Sequence, residues 1–319
     1  MEFALYDPAM AAIVPDGRVV WGMQLPVQSQ SRIYVQPWEL DGGPDDLLAV
    51  ARAADAAGAF SVGVCDHVAI PNELTAAMGD VWYDTVATLG WLAAQTERVH
   101  LLSHISVLPY RRPLVTAKAW ATLDLLSGGR AVLGVGAGHV EREFELLGVD
   151  FAGRGRLLDD AIDEVRAAWS TESIHAAVVA PRPVRPEGPP IWVGGSSPAA
   201  MRRAARRGDG WLPQGPPAGG MRAAIDGIRS ERRRHLGDDV PIDIGGFSEP
   251  LHLGQPAEWL PPHTLATTSP EEMAERLSRY SRSGVSHLMV RFPSRSRDEL
   301  VDQVTTFGTE VWPLVESAA

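Results

Sequence analysis

"RAVLGVGAGHVEREFELLGV", residues 130–149, is the stretch whose reading decides the fold. It opens as an apolar run of strand length, passes through alternating glycines at 134, 136 and 138, and ends as an acidic segment. A buried strand that hands over to a helix through bare backbone is half of a βα repeat. The same order recurs on both sides of it. Short β-branched or apolar runs stand at 19–25, 60–65, 99–107, 130–136, 190–195, 210–214, 240–247 and 285–292. Amphipathic segments with readable ends lie between them, "PDDLLAVARAADAAGAF" among the first. In "SPEEMAERLSRYSRSG" Ser269 is placed to cap, Pro270 sits at the first helical position, Glu272 completes a capping box and Gly284 stops the helix. Ser296 and Glu299 form a second such box ahead of Leu300, Val304, Phe307 and Val311 at helical spacing. Strand then helix, eight times over, predicts a (β/α)₈ barrel, with a doubly wound open sheet as the competing architecture.

Composition narrows the partners. The chain has 319 residues, 45% of them hydrophobic, and a formal charge of -11, which suits a large-cored globular protein and opposes binding to nucleic acid or to an anionic membrane. The one cysteine, Cys65, has no internal disulfide partner, and "MEFALYDPAM" lacks the basic head and apolar run of a signal peptide. No segment has the length and apolarity of a membrane span, so a cytoplasmic protein is expected. The whole chain reads as one domain, with residues 1–18 as a lead-in and 171–189 and 249–268 as long loops.

In such a barrel the loops at the C-terminal ends of the strands build the site. Those loops carry "CDHVAIPN", "SHISVLPYRRP", "GVGAGH" and "VGGSSPAA". His67 is the foremost group for proton chemistry, because imidazole titrates near neutrality. Asp66 beside it either orients the imidazole ring, hydrogen-bonds a ligand or caps the next helix. Cys65 shares a strand face with His67, but a strand-embedded thiol behaves as a small hydrophobe. The glycines at 134, 136 and 138 do not form a dinucleotide fingerprint; they either relieve crowding or let a ligand lie on the backbone. Gly194, Gly195, Ser196, Ser197 and Pro198 set a helix N-terminus with exposed amides, a place for a phosphate. His104 and His139 are read as walls of the mouth, Glu141 and Glu143 as a solvated helix face, and the arginines at 202, 203, 206 and 207 as a solvated stripe. Tyr34, Trp38, Met78, Trp82 and Tyr83 are read as walls of an apolar substrate pocket or as packing. No zinc-binding pattern and no metal site are expected.

Together "FSVGVCDH", "VHLLSHISVLPYRRPLVTAKAWATLDLLSGGRAVLGVGAGHVEREFELLGV", "PPIWVGGSSPAAMRRAARRGDGWLP" and "VSHLMVRFPSRSRDELVDQVTTFGTEVWP" resemble the bacterial-luciferase-like family of flavin and deazaflavin oxidoreductases. The resemblance runs from about residue 19 to the end. It implies a barrel, often dimeric, that binds coenzyme F420 or FMN at its mouth, with "LDLLSGGR" and "GVGAG" closer to the F420-using branch. It implies a catalytic His67. It also implies cofactor contacts from Asp66, from a bulged strand over Ser103, His104 and Ser106 that carries a non-proline cis peptide, from Gly136, Ala137, Gly138 and His139, and from a phosphate turn at Gly194, Gly195 and Ser196. Some F420 dehydrogenases of the family have a glutamate where His139 stands, so their proton scheme does not carry over. The expected reaction is hydride transfer between F420 and a small organic substrate. The alternatives are an FMN monooxygenase fed by a partner reductase, a phosphate-binding isomerase or aldolase, and a non-catalytic cofactor carrier. The aldolase reading wants a strand-end lysine, and Lys118 is the only lysine.

Overall fold

A computed structural model describes residues 12–32, 34–238 and 240–317. Among them, eight parallel strands close into a barrel: β1 (Val20–Gln24), β2 (Ser61–Val64), β3 (His100–Ser103), β4 (Ala131–Gly136), β5 (Ile191–Gly194), β6 (Gly210–Leu212), β7 (Asp243–Phe247) and β8 (His287–Val290). Closure is made by β1 pairing with both β2 and β8, and by β3 pairing with β4 through Leu101 opposite Ala131. The eight strands read from sequence are these eight, and the open-sheet alternative is excluded by the closed order. Residues 99–107 do not run straight: β3 stops at Ser103, the His104–Ile105 peptide is cis, and pairing resumes over Ser106–Val107 against the end of β4.

Each strand is followed by its barrel helix: α1 (Pro44–Ala56), α2 (Thr85–Ala93), α3 (Pro113–Ser127), α4 (Arg154–Ser170), α5 (Pro198–Arg207), α6 (Gly220–Leu236), α7 (Pro270–Arg282) and α8 (Arg297–Thr306). Their starts follow the capping chemistry, but the two capping boxes form only halfway. Ser269 and Ser296 accept from the amides of Glu272 and Glu299, while the two carboxylates turn elsewhere, Glu272 to the Thr267 hydroxyl and Glu299 to the amide of Arg295. The loop expected over 249–268 contains two short strands, Leu251–Leu253 and Leu265–Thr267, which pair in parallel. No described helix is long and apolar enough to cross a membrane.

Period-2 alternation separates two apolar regions. Leu101, Leu133, Val193, Trp211, Leu288 and Val290 face the helices in the main core. Val14, Leu102, Val132, Trp192 and Leu212 form a smaller cluster inside the barrel. Along β8 the same alternation turns His287 inward, where Nε2 lies 2.8 Å from the Ser61 hydroxyl, and places Met289 beside Gly63. The next residue of that parity is Arg291, at the mouth. The opposite, N-terminal face is closed by residues 13 and 14, whose amides donate to the Asp243 carboxylate at 2.9 and 3.2 Å. Residues 1–11 of the lead-in lie outside the described residues.

Candidate active site

Directly after β2 come three residues with three different fates. The Cys65 thiol is enclosed, and burial pushes its pKa up to about 12, so it remains a neutral thiol, in contact with the Gln24 amide and the His104 carbonyl. A nucleophilic thiolate is thereby removed from the chemistry. Asp66 is buried and fully engaged. Arg111 holds it through two bonds of 2.6 and 2.7 Å, and the Val107 amide and Ser106 hydroxyl donate to it at 2.8 and 3.2 Å. The carboxylate therefore ties the end of β2 to the loop after β3, and its oxygens are occupied within the chain. Sequence reading passed over Arg111; a buried strand-end aspartate needs a nearby cation, and that requirement was the available signal.

His67 points its Nδ1 at Glu143 Oε2, 2.8 Å away. Glu143 reverses its sequence reading. It stands on the short helix Glu141–Leu146 but is wholly buried, whereas Glu141 is on the exposed side. Its carboxylate also accepts from the amides of Val68 and Ala69 at 2.5 and 3.1 Å and from the Tyr110 hydroxyl at 2.8 Å. Burial alone would raise its pKa, but the hydrogen bond from His67 and those two amides outweigh it and hold the carboxyl at about 2. Burial and the bond to Glu143 raise the Tyr110 hydroxyl. An ionised Glu143 places the His67 proton on Nδ1 and leaves Nε2 without a partner among the described residues. Trp82 meets the imidazole edge-on at 4.5 Å between centroids, and His139 stands 5.9 Å away. Acidic residues at every second position, 141, 143 and 145, hid Glu143, because such a run around a helix does not say which member turns inward.

The glycines have a local explanation. A Cβ on Gly136 would come 1.8 Å from Cδ1 of Ile105, and one on Gly194 would lie 3.0 Å from the same atom. Ile105, not chosen from sequence, is thus seated between the ends of β4 and β5 as an apolar floor. Gly138 has φ +80 and is crowded by Phe144 and Val107. Beyond them, the amides of Ala137, Gly138 and His139 have no acceptor among the described residues.

The remaining sequence candidates divide between internal duty and open mouth. Ser103 is buried and donates to the Gly134 carbonyl at 2.8 Å; Ser106 is bound to Asp66. Burial lowers the His104 pKa to about 4, and its Nδ1 lacks a partner among the described residues. Its ring lies 5.6 Å from that of Phe247, a large apolar side chain exposed at the mouth. At the start of α5, the Gly195 amide is used by the Leu212 carbonyl, and the Ser196 hydroxyl bridges the Gln214 amide and the Gly215 carbonyl. Ser197 caps the helix through the Ala200 amide. What stays open there is the pair of amides of Ser196 and Ser197, for which no acceptor is found among the described residues. Three of the four arginines of the stripe are also committed: Arg203 and Arg207 pair with Asp159 and Asp163 on α4, and Arg206 with Glu231 on α6, while Arg202 is exposed. Of the aromatic wall, Trp82 borders His67, Trp38 donates to the buried Ser294, and Tyr34 is exposed beside Arg291.

Comparison with known proteins agrees with the barrel fold. The family described as luciferase-like monooxygenase matches residues 21–258. A protein of Mycobacterium tuberculosis (strain ATCC 25618 / H37Rv) is 31% identical over 218 residues, 62% of this chain and 74% of its own. An F420-dependent glucose-6-phosphate dehydrogenase of Kineococcus radiotolerans is 26% identical over 328 residues, 85% of this chain and 93% of its own. Among solved structures, an F420-dependent secondary alcohol dehydrogenase superposes with a TM-score of 0.72 at 18% identity, covering 93% of this chain and 99% of that one. EDTA monooxygenase from Chelativorans sp. BNC1 does so with a TM-score of 0.71 at 13% identity, covering 94% of each chain. At those identities the superpositions speak for the fold alone.

Proposed function

Because the chain belongs to the luciferase-like monooxygenase family, we propose that it is an oxidoreductase that transfers a hydride between coenzyme F420 and a small organic substrate, with His67 handling the accompanying proton. The observation that carries this reading is the His67–Glu143 pair at the barrel mouth, 2.8 Å apart, with Nε2 of the imidazole left over for a reacting group.

The residues present fit a flat ring with a phosphate. Ile105 supplies an apolar floor between bare backbone at Gly136 and Gly194, and the amides of Ala137, Gly138 and His139 are open donors beside it. The amides of Ser196 and Ser197, at the positive end of α5, suit a phosphate. When bound, F420 supplies the two-electron chemistry. The chain's own part is to orient and to move the proton. Glu143 fixes the imidazole tautomer, and Tyr110 and two loop amides hold Glu143 in turn. Asp66 and Arg111 act at one remove, by positioning the loop that carries Ile105.

F420 is favoured over FMN by relatives named as F420-dependent dehydrogenases that align over 85% of the chain. The family's own description as a monooxygenase supports the second reading, an FMN enzyme supplied by a reductase. Titration of the protein with each cofactor separately, followed by ligand fluorescence, tests the choice. Tighter binding of F420 is expected. Preference for FMN would reverse the order, and binding of neither would overturn the proposal. Binding without hydride exchange across a broad substrate screen would favour a carrier. A homodimer belongs to the same proposal and is supported by Val115, Leu125 and Leu126, which stand exposed on α3; sedimentation velocity measures it.

A further inference from the structure

We propose that Arg291, with the ring of Tyr34, forms a subsite for a carboxylate, so that the substrate of this enzyme is an organic acid bound by its anionic end. The inference rests on the oxidoreductase reading above for the word substrate, and on separate observations for the site.

Arg291 follows β8 directly. The strand's alternation puts His287 and Met289 inside the barrel, and Arg291 is the next inward position, at the mouth. Its guanidinium donates to the Tyr34 carbonyl and lies 5.0 Å from the centroid of the Tyr34 ring. Among the described residues no carboxylate lies within ion-pairing distance of it. Several other arginines also lack a carboxylate among the described residues, but the half-buried Arg130 spends its guanidinium on the oxygens of Ala93, Thr96, Val99 and Ser127, whereas Arg291 has the Tyr34 carbonyl. The neighbouring Arg295 is paired with Glu299, Arg297 with Asp46 and Asp298, and Arg111 with Asp66. The acidic group that acts on Arg291 is Glu39, which is occupied by the amides of Val27 and Gln36, and burial raises its pKa. Burial likewise lowers the pKa of Arg291, and the opposing charge of Glu39 offsets only part of it, the sign of a cation short of solvent.

One half-buried guanidinium with a fork of free N–H groups matches a single planar carboxylate in both charge and shape. The position separates this anion from the cofactor's. The open amides at the start of α5 follow β5, and β6 and β7 stand between β5 and β8 around the barrel. A phosphate held at α5 therefore leaves Arg291 for a second molecule. The exposed face of Tyr34 gives that molecule an aromatic wall next to the charge.

The test uses the isosteric pair benzoate and benzamide as probes, with the full chain, in the presence and absence of F420, by ligand-observed NMR. Benzoate is expected to bind at least about tenfold more tightly than benzamide, because only the former gains the charged contact. In Arg291→Gln the preference should vanish, while F420 affinity stays within about twofold and the melting temperature shows a folded protein. Arg291→Lys keeps the charge and should retain part of the preference, which covers the case of a Gln variant that does not fold. Equal binding of the two probes to the wild type, or an unchanged preference in Arg291→Gln, would overturn the subsite. A loss of F420 affinity in Arg291→Gln would assign the arginine to the cofactor and overturn it as well. If the chain binds no F420 but keeps an Arg291-dependent benzoate preference, the redox reading fails and the anion site stands.

Discussion

The two ends of the barrel each bury a carboxylate that accepts two backbone amides, and the two behave oppositely. At the mouth, Glu143 takes the amides of Val68 and Ala69 and also faces His67, and its pKa is held at about 2. On the N-terminal face, Asp243 takes the amides of Ile13 and Val14. Burial is its largest influence, those amides offset part of it, the nearby Asp209 adds repulsion, and its pKa is pushed up to about 7. At Glu143 the imidazole and the amides outweigh burial, whereas at Asp243 burial outweighs its two amides and Asp209 adds to it, so one carboxyl is held ionised and the other is raised toward neutrality. The same logic separates the histidines. His67 has an anion at Nδ1, whereas His287, inside the barrel with a serine hydroxyl as its partner, has its pKa lowered by burial to about 3 and stays neutral. The mouth is built to carry charge, and the floor is built to close.

The strongest way to break this contrast is to remove the imidazole. His67→Ala is expected to lower turnover by roughly 10²–10⁴-fold, the range for a positioned acid-base group, with little change in F420 affinity. Steady-state kinetics on a substrate found by screening, beside a cofactor titration, measure both. Glu143→Gln should follow in the same direction, since an amide, which can donate as well as accept, no longer fixes which imidazole nitrogen carries the proton. It should also remove stability above pH 4.5, because a carboxyl whose folded pKa is depressed from 4.5 to about 2 contributes there and loses that contribution as pH falls toward 2. Unchanged turnover in His67→Ala would take proton handling away from the pair.

Asp243 sharpens the contrast with the opposite sign. Its folded pKa of about 7 lies above the ordinary 3.8, so the folded state holds its proton more tightly than the unfolded chain. Stability from this group is full below about pH 4 and is lost as pH rises toward 7, by roughly 4 kcal/mol in all. Asp243→Asn cannot titrate. Urea denaturation from pH 4 to 8 should therefore show the wild type losing stability relative to the variant over that interval. Parallel curves would mean that the floor carboxylate is compensated as the mouth carboxylate is.

Much of this barrel is legible in sequence, and what escaped did so for one physical reason. The strands are short apolar runs with turn residues at both ends, and five of the eight barrel helices carry Ser or Pro at their starts, so local chemistry marks them. Glu143 and Arg111 were missed because their meaning lies in partners tens of residues away, His67 and Asp66. Ile105 was missed because an isoleucine in a β-branched run looks like any other strand residue. The capping boxes were over-read for the converse reason: Glu272 and Glu299 had better nearby donors than the backbone of the cap. The strand-end positions of His67 and Gly138 were legible because a strand's end is itself local information.

The glycines offer the finest comparison, within one loop. At Gly138 an added methyl would meet both a positive φ of +80 and side chains of Phe144 and Val107 at 2.7 Å, so Gly138→Ala should cost roughly 2–3 kcal/mol, measured by urea denaturation. Gly136 is different in kind. Its added Cβ would overlap mainly one atom, the terminal Cδ1 of Ile105, at 1.8 Å, with the rest of that side chain at 3.2 Å or beyond. Rotation of Ile105 relieves such a contact, so Gly136→Ala should cost only about 1 kcal/mol. Ile105→Val removes the offending atom, and the double variant should therefore be less destabilised than the two single changes add up to. Strict additivity would show that Gly136 is bare for a reason other than Ile105, and would return that position to the ligand as its explanation.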